Sequence, residues 1–296
     1  MPLPADPVSL PEEPLRESAP VAYRLAHAHC PAGPEGCRDY HAMWQYFRQI
    51  GLLTTIGTNT DFLVATLRRL ADADSCRRVL ISATADYGML AHVIHAYRLA
   101  GVEPEVTVVD MCETPLALNR WYAERAGVTI RTCRANLLEF RADAPFDLVC
   151  THSFLGRLTQ EVRAGALDKW HEVLRPGGHV VTVARVRYGA PDGGVTRYEP
   201  AEIVEFRDRA LALARAKEHE LDLPAEAIAD AAEHYAVSKR SRGFGSTGML
   251  RALFEDHGFA LERFDSGGEE ERRRDRPSCP TLGWKSERFR IVAVRR

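Results

Sequence analysis

The sequence predicts an α/β fold: a doubly wound, mostly parallel sheet of seven strands, preceded by helices and interrupted by further helices after the fifth strand. Three observations predict it. From Arg78 onward, short apolar runs alternate with helical stretches, the pattern of a parallel sheet covered on both faces. Beyond Tyr188 the regular alternation stops, and mostly helical stretches intervene before the final strands. Glycine and proline punctuate the joins, as at Arg175-Pro176-Gly177-Gly178.

The elements follow in order. Residues 1 to about 20 contain Pro2, Pro4, Pro7, Pro11, Pro14 and Pro20, so a tail or arm is expected, extending to about residue 35. Tyr40, Met43, Trp44, Phe47 and Ile50 recur at helical spacing, which predicts an amphipathic helix over 39–50. A second helix is expected over 61–71, capped by Asn59, Thr60 or Asp61. Strands are expected at 78–82, 105–110, 128–131, 146–151 and 179–186, with helices at 89–100, 115–126 and 159–174 between them. Thr114 before Pro115 is the expected cap of the second of these helices. Beyond Tyr188 come helical stretches at 200–218, 224–238 and 247–257, then strands at 260–264 and 289–295. The charge-dense GGEEERRRDRPS between the last two reads as a solvated loop. Domains are therefore expected as a tail (1–35), a helical lid (36–75) and a sheet domain (76–296) with an insertion at about 200–238.

The chain has 296 residues and a formal charge of -2, so it lacks the surplus of Lys and Arg needed to grip nucleic acid through a phosphate-neutralising face. No nucleic-acid partner is expected. The 7 cysteines are widely spread and several lie in apolar runs, the usage of reduced thiols in a cytoplasm. No secretory leader or membrane span is expected, and a small-molecule partner fits better.

In an open parallel sheet the ligand sits at the carboxyl ends of the central strands. There the turn Ser82-Ala83-Thr84-Ala85-Asp86-Tyr87-Gly88 is built of small residues near a helix start, without the G-x-G-x-x-G order that admits a pyrophosphate. Asp110 ends the second strand, where a carboxylate can accept from both hydroxyls of a ribose, and Met111 after it can cover an adenine face. Asn136 and Leu137 follow the third strand, and Asn136 can offer an adenine edge a donor and an acceptor. Thr151, His152 and Ser153 follow the fourth.

This arrangement resembles the class I S-adenosylmethionine-dependent methyltransferases over roughly residues 78–186 plus the last two strands. The resemblance rests on VTVVD ending at Asp110, FDLVCTHSFLGRL from Phe146, and LDKWHEVLRPGGHVV ending at Val181. It implies a Rossmann-like sheet with an antiparallel last strand and S-adenosyl-L-methionine as cofactor. The family's acidic residue and three glycines fall on Ile81, Ala83, Ala85 and Tyr87 here. The departure concerns the methionine end of the cofactor, where Asp86 is the substitute for the ammonium contact and alanine permits close approach if φ stays negative. THSF is not the (N/D)-P-P-(Y/F) signature of nucleobase or amide methylation.

His152 is the candidate general base and Tyr188 the candidate substrate-facing phenol. Tyr40, Trp44 and Phe47 are expected on a lid, where aromatic faces attract a sulfonium. His27, His29, Cys30, Cys37 and His41 have ligand-type side chains, but their linear spacing matches no usual zinc pattern, and no metal is expected. The function expected is methyl transfer to a small molecule. Two alternatives are γ-carbon chemistry that releases methylthioadenosine and a catalytically silent cofactor-binding module; a nicotinamide oxidoreductase is weaker because its triple-glycine turn is missing.

Overall fold

The computed structural model describes residues 10–33, 35–53, 55–73, 76–190, 194–267 and 286–296. Pro2, Pro4, Pro7, Cys279 and the GGEEERRRDRPS segment beyond Gly267 lie outside them.

Two helices open the chain, α1 (Leu15–His29) and α2 (Arg38–Gln49), and a 3-10 turn at Ile56–Asn59 leads into α3 (Thr60–Ala73). The alternating unit then runs β1 (Arg78–Ser82), α4 (Gly88–Leu99), β2 (Glu105–Asp110), α5 (Glu113–Ala126), β3 (Ile130–Arg134), β4 (Phe146–Cys150), α6 (Gln160–Val173) and β5 (Leu174–Arg187). After it come the two-residue β6 (Val195–Thr196), α7 (Pro200–Ala216), α8 (Ala225–Ser238), β7 (Ser241–Arg242), α9 (Thr247–Glu255), β8 (Phe259–Ser266) and β9 (Ser286–Arg295).

Seven of these strands form one sheet in the order β3-β2-β1-β4-β5-β9-β8. The pairs from β3 to β5 are parallel, and β9 is antiparallel to both neighbours. Side chains along β1 divide between the two faces, as the two-residue period of a strand requires. Val79 and Ile81 join the core beneath α3, α4 and α5, whereas Leu80 joins the core beneath α6 and α9 with Trp170 and Phe254. A third core forms away from the sheet, where Tyr46, Phe47 and Ile50 of α2 meet Ala19 and Ala26 of α1, Phe206 and Ala210 of α7, and Ile228 and Tyr235 of α8.

Four expectations are corrected. Residues 15–29 are helical although Pro20 lies inside α1. Pro20 forgoes only the bond to the Arg16 carbonyl, while burial of Ser18, Ala19, Ala22 and Ala26 holds the helix. The third strand begins at Ile130, because Gly127 takes a left-handed φ of 67° and Val128 N–H turns back 2.9 Å to the Ala123 carbonyl to stop α5. Thr114 lies inside α5, whose cap is Cys112, and its hydroxyl reaches 3.2 Å to the Leu25 carbonyl of α1. The fifth strand already starts at Leu174, so Arg175-Pro176-Gly177-Gly178 belongs to it; Gly177 at φ 73° turns the chain while Arg175 holds Asp147 of β4 at 2.6 Å.

Candidate functional site

The carboxyl ends of β1, β2, β4 and β5 open into a cleft of about 600 Å³, roofed by α2 and α8. That volume lies within the range of small-molecule sites.

Its floor is the turn after β1. Ala83 lies there at φ 57°, in the left-handed region uncommon for a residue other than glycine, and its N–H is tied 2.9 Å to the Val109 carbonyl. The condition of a negative φ is therefore not met at Ala83. Ser153, beyond β4, shares the conformation at φ 55°, so the cleft is flanked by two non-glycine residues in a sparsely populated region. Gly88, the first residue of α4, is required by space: a Cβ there would meet Asp86 Oδ1 and Ile56 Cγ2, each at 2.9 Å.

Asp110 projects from the end of β2. Its Oδ2 accepts from Thr84 N–H at 3.1 Å and its Oδ1 from Cys112 N–H at 2.8 Å. Each oxygen keeps a lone pair, so two vicinal hydroxyls can still be held. Burial raises the pKa of Asp110, and the backbone bonds to Cys112 and Thr84 oppose that rise. Beside it Met111 is 68% exposed, an uncovered apolar side chain suited to lie on a flat ring.

Asp86 is arranged differently from the expectation. Its Oδ2 accepts from Trp44 Nε1 and from Arg48 Nη1, each at 2.7 Å, and its Oδ1 from Gly88 N–H at 2.7 Å. Arg48, buried within α2, also bonds Glu13. The carboxylate that was to take an ammonium is thus committed to joining α2 to the β1–α4 turn. Trp44 and Tyr40 line the cleft, and Arg157 donates to the Tyr40 hydroxyl at 2.9 Å. Phe47 does not line it: at 1% exposure it packs edge-on against Tyr235, with ring centroids 5.7 Å apart, and is corrected from lid to core.

His152 borders the cleft with Nε2 3.0 Å from Asn59 Oδ1. Burial first, then the cations Arg288, Arg48 and Arg185, hold its pKa well below the usual imidazole range. It is neutral near pH 7 and a weak proton acceptor. Tyr188 is elsewhere. It packs on the α6 and α9 face and donates to Glu287 at 2.9 Å, so the sequence reading of a substrate-facing phenol is corrected. The pleat explains it: Arg185 and Arg187 of β5 line the cleft, and Tyr188, one residue further, points away.

Of the other expected cofactor residues, Ala83, Thr84, Ala85 and Ser153 line the cleft, whereas Ser82 and Thr151 are buried beneath it. Ser82 accepts from Trp170 Nε1 at 3.0 Å. Asn136 and Leu137 are not in the lining; the Asn136 side chain caps the next turn by accepting from Leu138 N–H. The sequence reading missed Arg48, Arg185, Arg187, Arg288, Tyr235 and Lys239, all of which line the cleft. Alternating Arg185 and Arg187 on a strand was the available signal. Cys30, Cys37 and His41 do come together, joined by Cys112, while His27 lies apart with its Nδ1 2.8 Å from the Tyr23 carbonyl.

Sheet order, with an antiparallel penultimate strand in space, and an acidic residue at the end of β2 over an open cleft are those of a Rossmann-like methyltransferase fold. Residues 87–178 match the family model described as a methyltransferase domain. No curated protein matches the chain. Among solved structures, the fold is similar to that of an S-adenosylmethionine-dependent methyltransferase from Clostridium acetobutylicum, at 9% identity over 84% of this chain and 96% of that one, with a TM-score of 0.50. The magnesium protoporphyrin IX methyltransferase of Synechocystis has 12% identity over 87% of this chain and 97% of its own, with a TM-score of 0.48. TehB from Haemophilus influenzae has 13% identity over 78% of this chain, with a TM-score of 0.45, and the chain spans 62% of its length. No helix among the described residues is long and apolar enough to cross a membrane.

Proposed function

We propose that the chain transfers the methyl group of S-adenosyl-L-methionine to a small-molecule acceptor bearing an acidic group. The observation that carries the reading is the Asp110 carboxylate, fixed by two backbone donors at the floor of a cleft, with Met111 exposed beside it. Those residues fit an adenosine: Asp110 takes the ribose hydroxyls and Met111 a ring face. When bound, the cofactor supplies an electrophilic methyl on a sulfonium. The chain's part is to orient the acceptor and exclude water. Trp44 offers a π-face to a cation, whereas the Tyr40 ring already carries the Arg157 guanidinium 5.0 Å from its centroid, and α2 with α8 closes the cleft from above. Arg185, Arg187 and Arg288 also line the cleft, and their charge suits a carboxylate or phosphate on the acceptor. His152, held neutral, positions the acceptor through a hydrogen bond.

A second reading has a specific observation in its favour. The methionine end of the site lacks the family's acidic residue, and its nearest substitute, Asp86, is bound to Arg48. A differently held amino acid moiety is the condition for attack at the γ-carbon. One experiment separates the two. After calorimetric titration with S-adenosylmethionine, the protein is incubated with anion-exchange fractions of a cell extract and the adenosine products are identified by mass. S-adenosylhomocysteine formed with the acid-retaining fraction supports methyl transfer. Methylthioadenosine supports the rival, and binding without either product supports a silent binding module.

A further inference from the structure

We propose that Cys30, Cys37, His41 and Cys112 form a zinc site that fastens the N-terminal helices to the turn carrying Asp110. One ligand atom from each of the four lies within 4.8 Å of all the others. A tetrahedral zinc ion with Zn–S near 2.3 Å and Zn–N near 2.0 Å sets its sulfur atoms about 3.8 Å apart and sulfur from nitrogen about 3.5 Å. The observed Sγ separations are 3.8 Å for Cys37 and Cys112 and 3.3 Å for Cys30 and Cys112. His41 Nδ1 lies 3.3 Å from the Cys30 sulfur and 3.5 Å from that of Cys112. For these four pairs shifts of a few tenths of an ångström suffice, and the other two, Cys37 with Cys30 and with His41, lie within 4.8 Å and need to close by about 1.3 Å at most.

Chemistry selects the ion. Three thiolates and an imidazole in a tetrahedral set suit zinc, and four protein ligands leave no open position, which marks a structural site. Thr114 adds an outer contact, its hydroxyl 3.0 Å from the Cys30 sulfur, so that on metal binding its one proton turns from the Leu25 carbonyl to the thiolate. At neutral pH the three thiols release their protons as zinc binds.

The placement gives the site a purpose. Cys30 ends α1, Cys37 caps α2 and His41 lies one turn into it, whereas Cys112 caps α5 two residues beyond Asp110. The junctions of three helices would be held at one point. The expectation of no metal rested on the spacing within residues 27–41, and Cys112 reaches the cluster only through the fold.

The full chain, produced in zinc-supplemented cells and purified without chelators, is expected to carry about one zinc ion per chain by mass spectrometry of its metals. Cobalt exchange should give the thiolate charge-transfer and visible d–d bands of a tetrahedral site. Cys37→Ser and Cys112→Ser should release metal to 4-(2-pyridylazo)resorcinol at least about tenfold more readily than the wild type, and Cys133→Ser should not. A metal-free wild type, a Cys30–Cys112 disulfide found by peptide mass, or a cobalt spectrum unaltered in Cys112→Ser would each overturn the assignment. If the serine variants fail to fold, metal content and cobalt spectrum of the wild type decide alone.

Discussion

Replacing Arg48 with methionine removes the guanidinium that joins α2 to both Asp86 and Glu13, while keeping most of the side-chain volume. Arg48 is 2% exposed and Asp86 8%, so little water can reach the carboxylate left behind. Removing one partner of a buried ion pair costs about 3 to 5 kcal/mol, because the remaining charge is uncompensated. Asp86 keeps its bonds from Trp44 and Gly88, which favours the lower end. At roughly 2 °C per kcal/mol for a chain of this size, Tm should fall by about 6 to 10 °C. The control is the cycle of Arg48→Met, Asp86→Asn and their combination, followed by thermal and urea denaturation. With both charges gone the double variant should lose less than the sum of the singles. Glu13, 19% exposed, can turn toward solvent when Arg48 is lost. A loss below about 1 kcal/mol in Arg48→Met, or strict additivity in the cycle, would refute the reasoning.

Asp110→Ala should weaken S-adenosylmethionine binding more than tenfold by calorimetry, since two charge-assisted bonds at about 1.5 to 3 kcal/mol each exceed the 1.4 that tenfold requires; unchanged affinity in a folded variant would remove the adenosine assignment. Deleting residues 1–53 strips the apolar cover from Phe206, Ile228 and Tyr235, so the product should aggregate in size-exclusion chromatography, and a soluble monomer would restore the idea of a separable lid. Stability should fall on acidification from pH 7 toward 5. His152 and His92 have folded pKa values lowered chiefly by burial. The unfolded chain therefore binds more protons below about 6.5, and the stabilisation present above that pH is lost as pH falls toward the folded values. Urea midpoints that stay flat across this window would contradict it.

What the sequence revealed and concealed follows from the range of each interaction. Val79, Leu80 and Ile81 announce a central strand because all three are apolar and strand burial on both faces needs nothing else. Pro20 suggested a tail because proline's local cost is visible in sequence, whereas the compensating burial of Ala19, Ala22 and Ala26 depends on helices not yet placed. Arg48 occupies a polar position in an apolar stripe and so reads as a solvated charge; its partner, Asp86, is 38 positions away. Cys112 stood apart from Cys30 by 82 positions and shared no local pattern with it. Asn136 was read by its hydrogen-bonding capacity, which the next turn uses. Tyr188 was displaced by a single residue of strand phase, the commonest way for a two-residue period to reverse a side chain's direction.

The third core has a consequence for the order in which the chain leaves the ribosome. Tyr46 donates to Asp222 at 2.7 Å, a partner made 176 positions later. Phe47 waits still longer for Tyr235. At about 5 to 20 residues per second, α2 exists for roughly 10 to 35 s before α7 and α8 can cover it. During that interval its aromatic stripe faces solvent, chaperone or neighbouring nascent chains. Slower elongation through the first four strands should therefore raise the share of newly made chains bound by chaperones, whereas slowing the last 60 codons should leave that share unaltered.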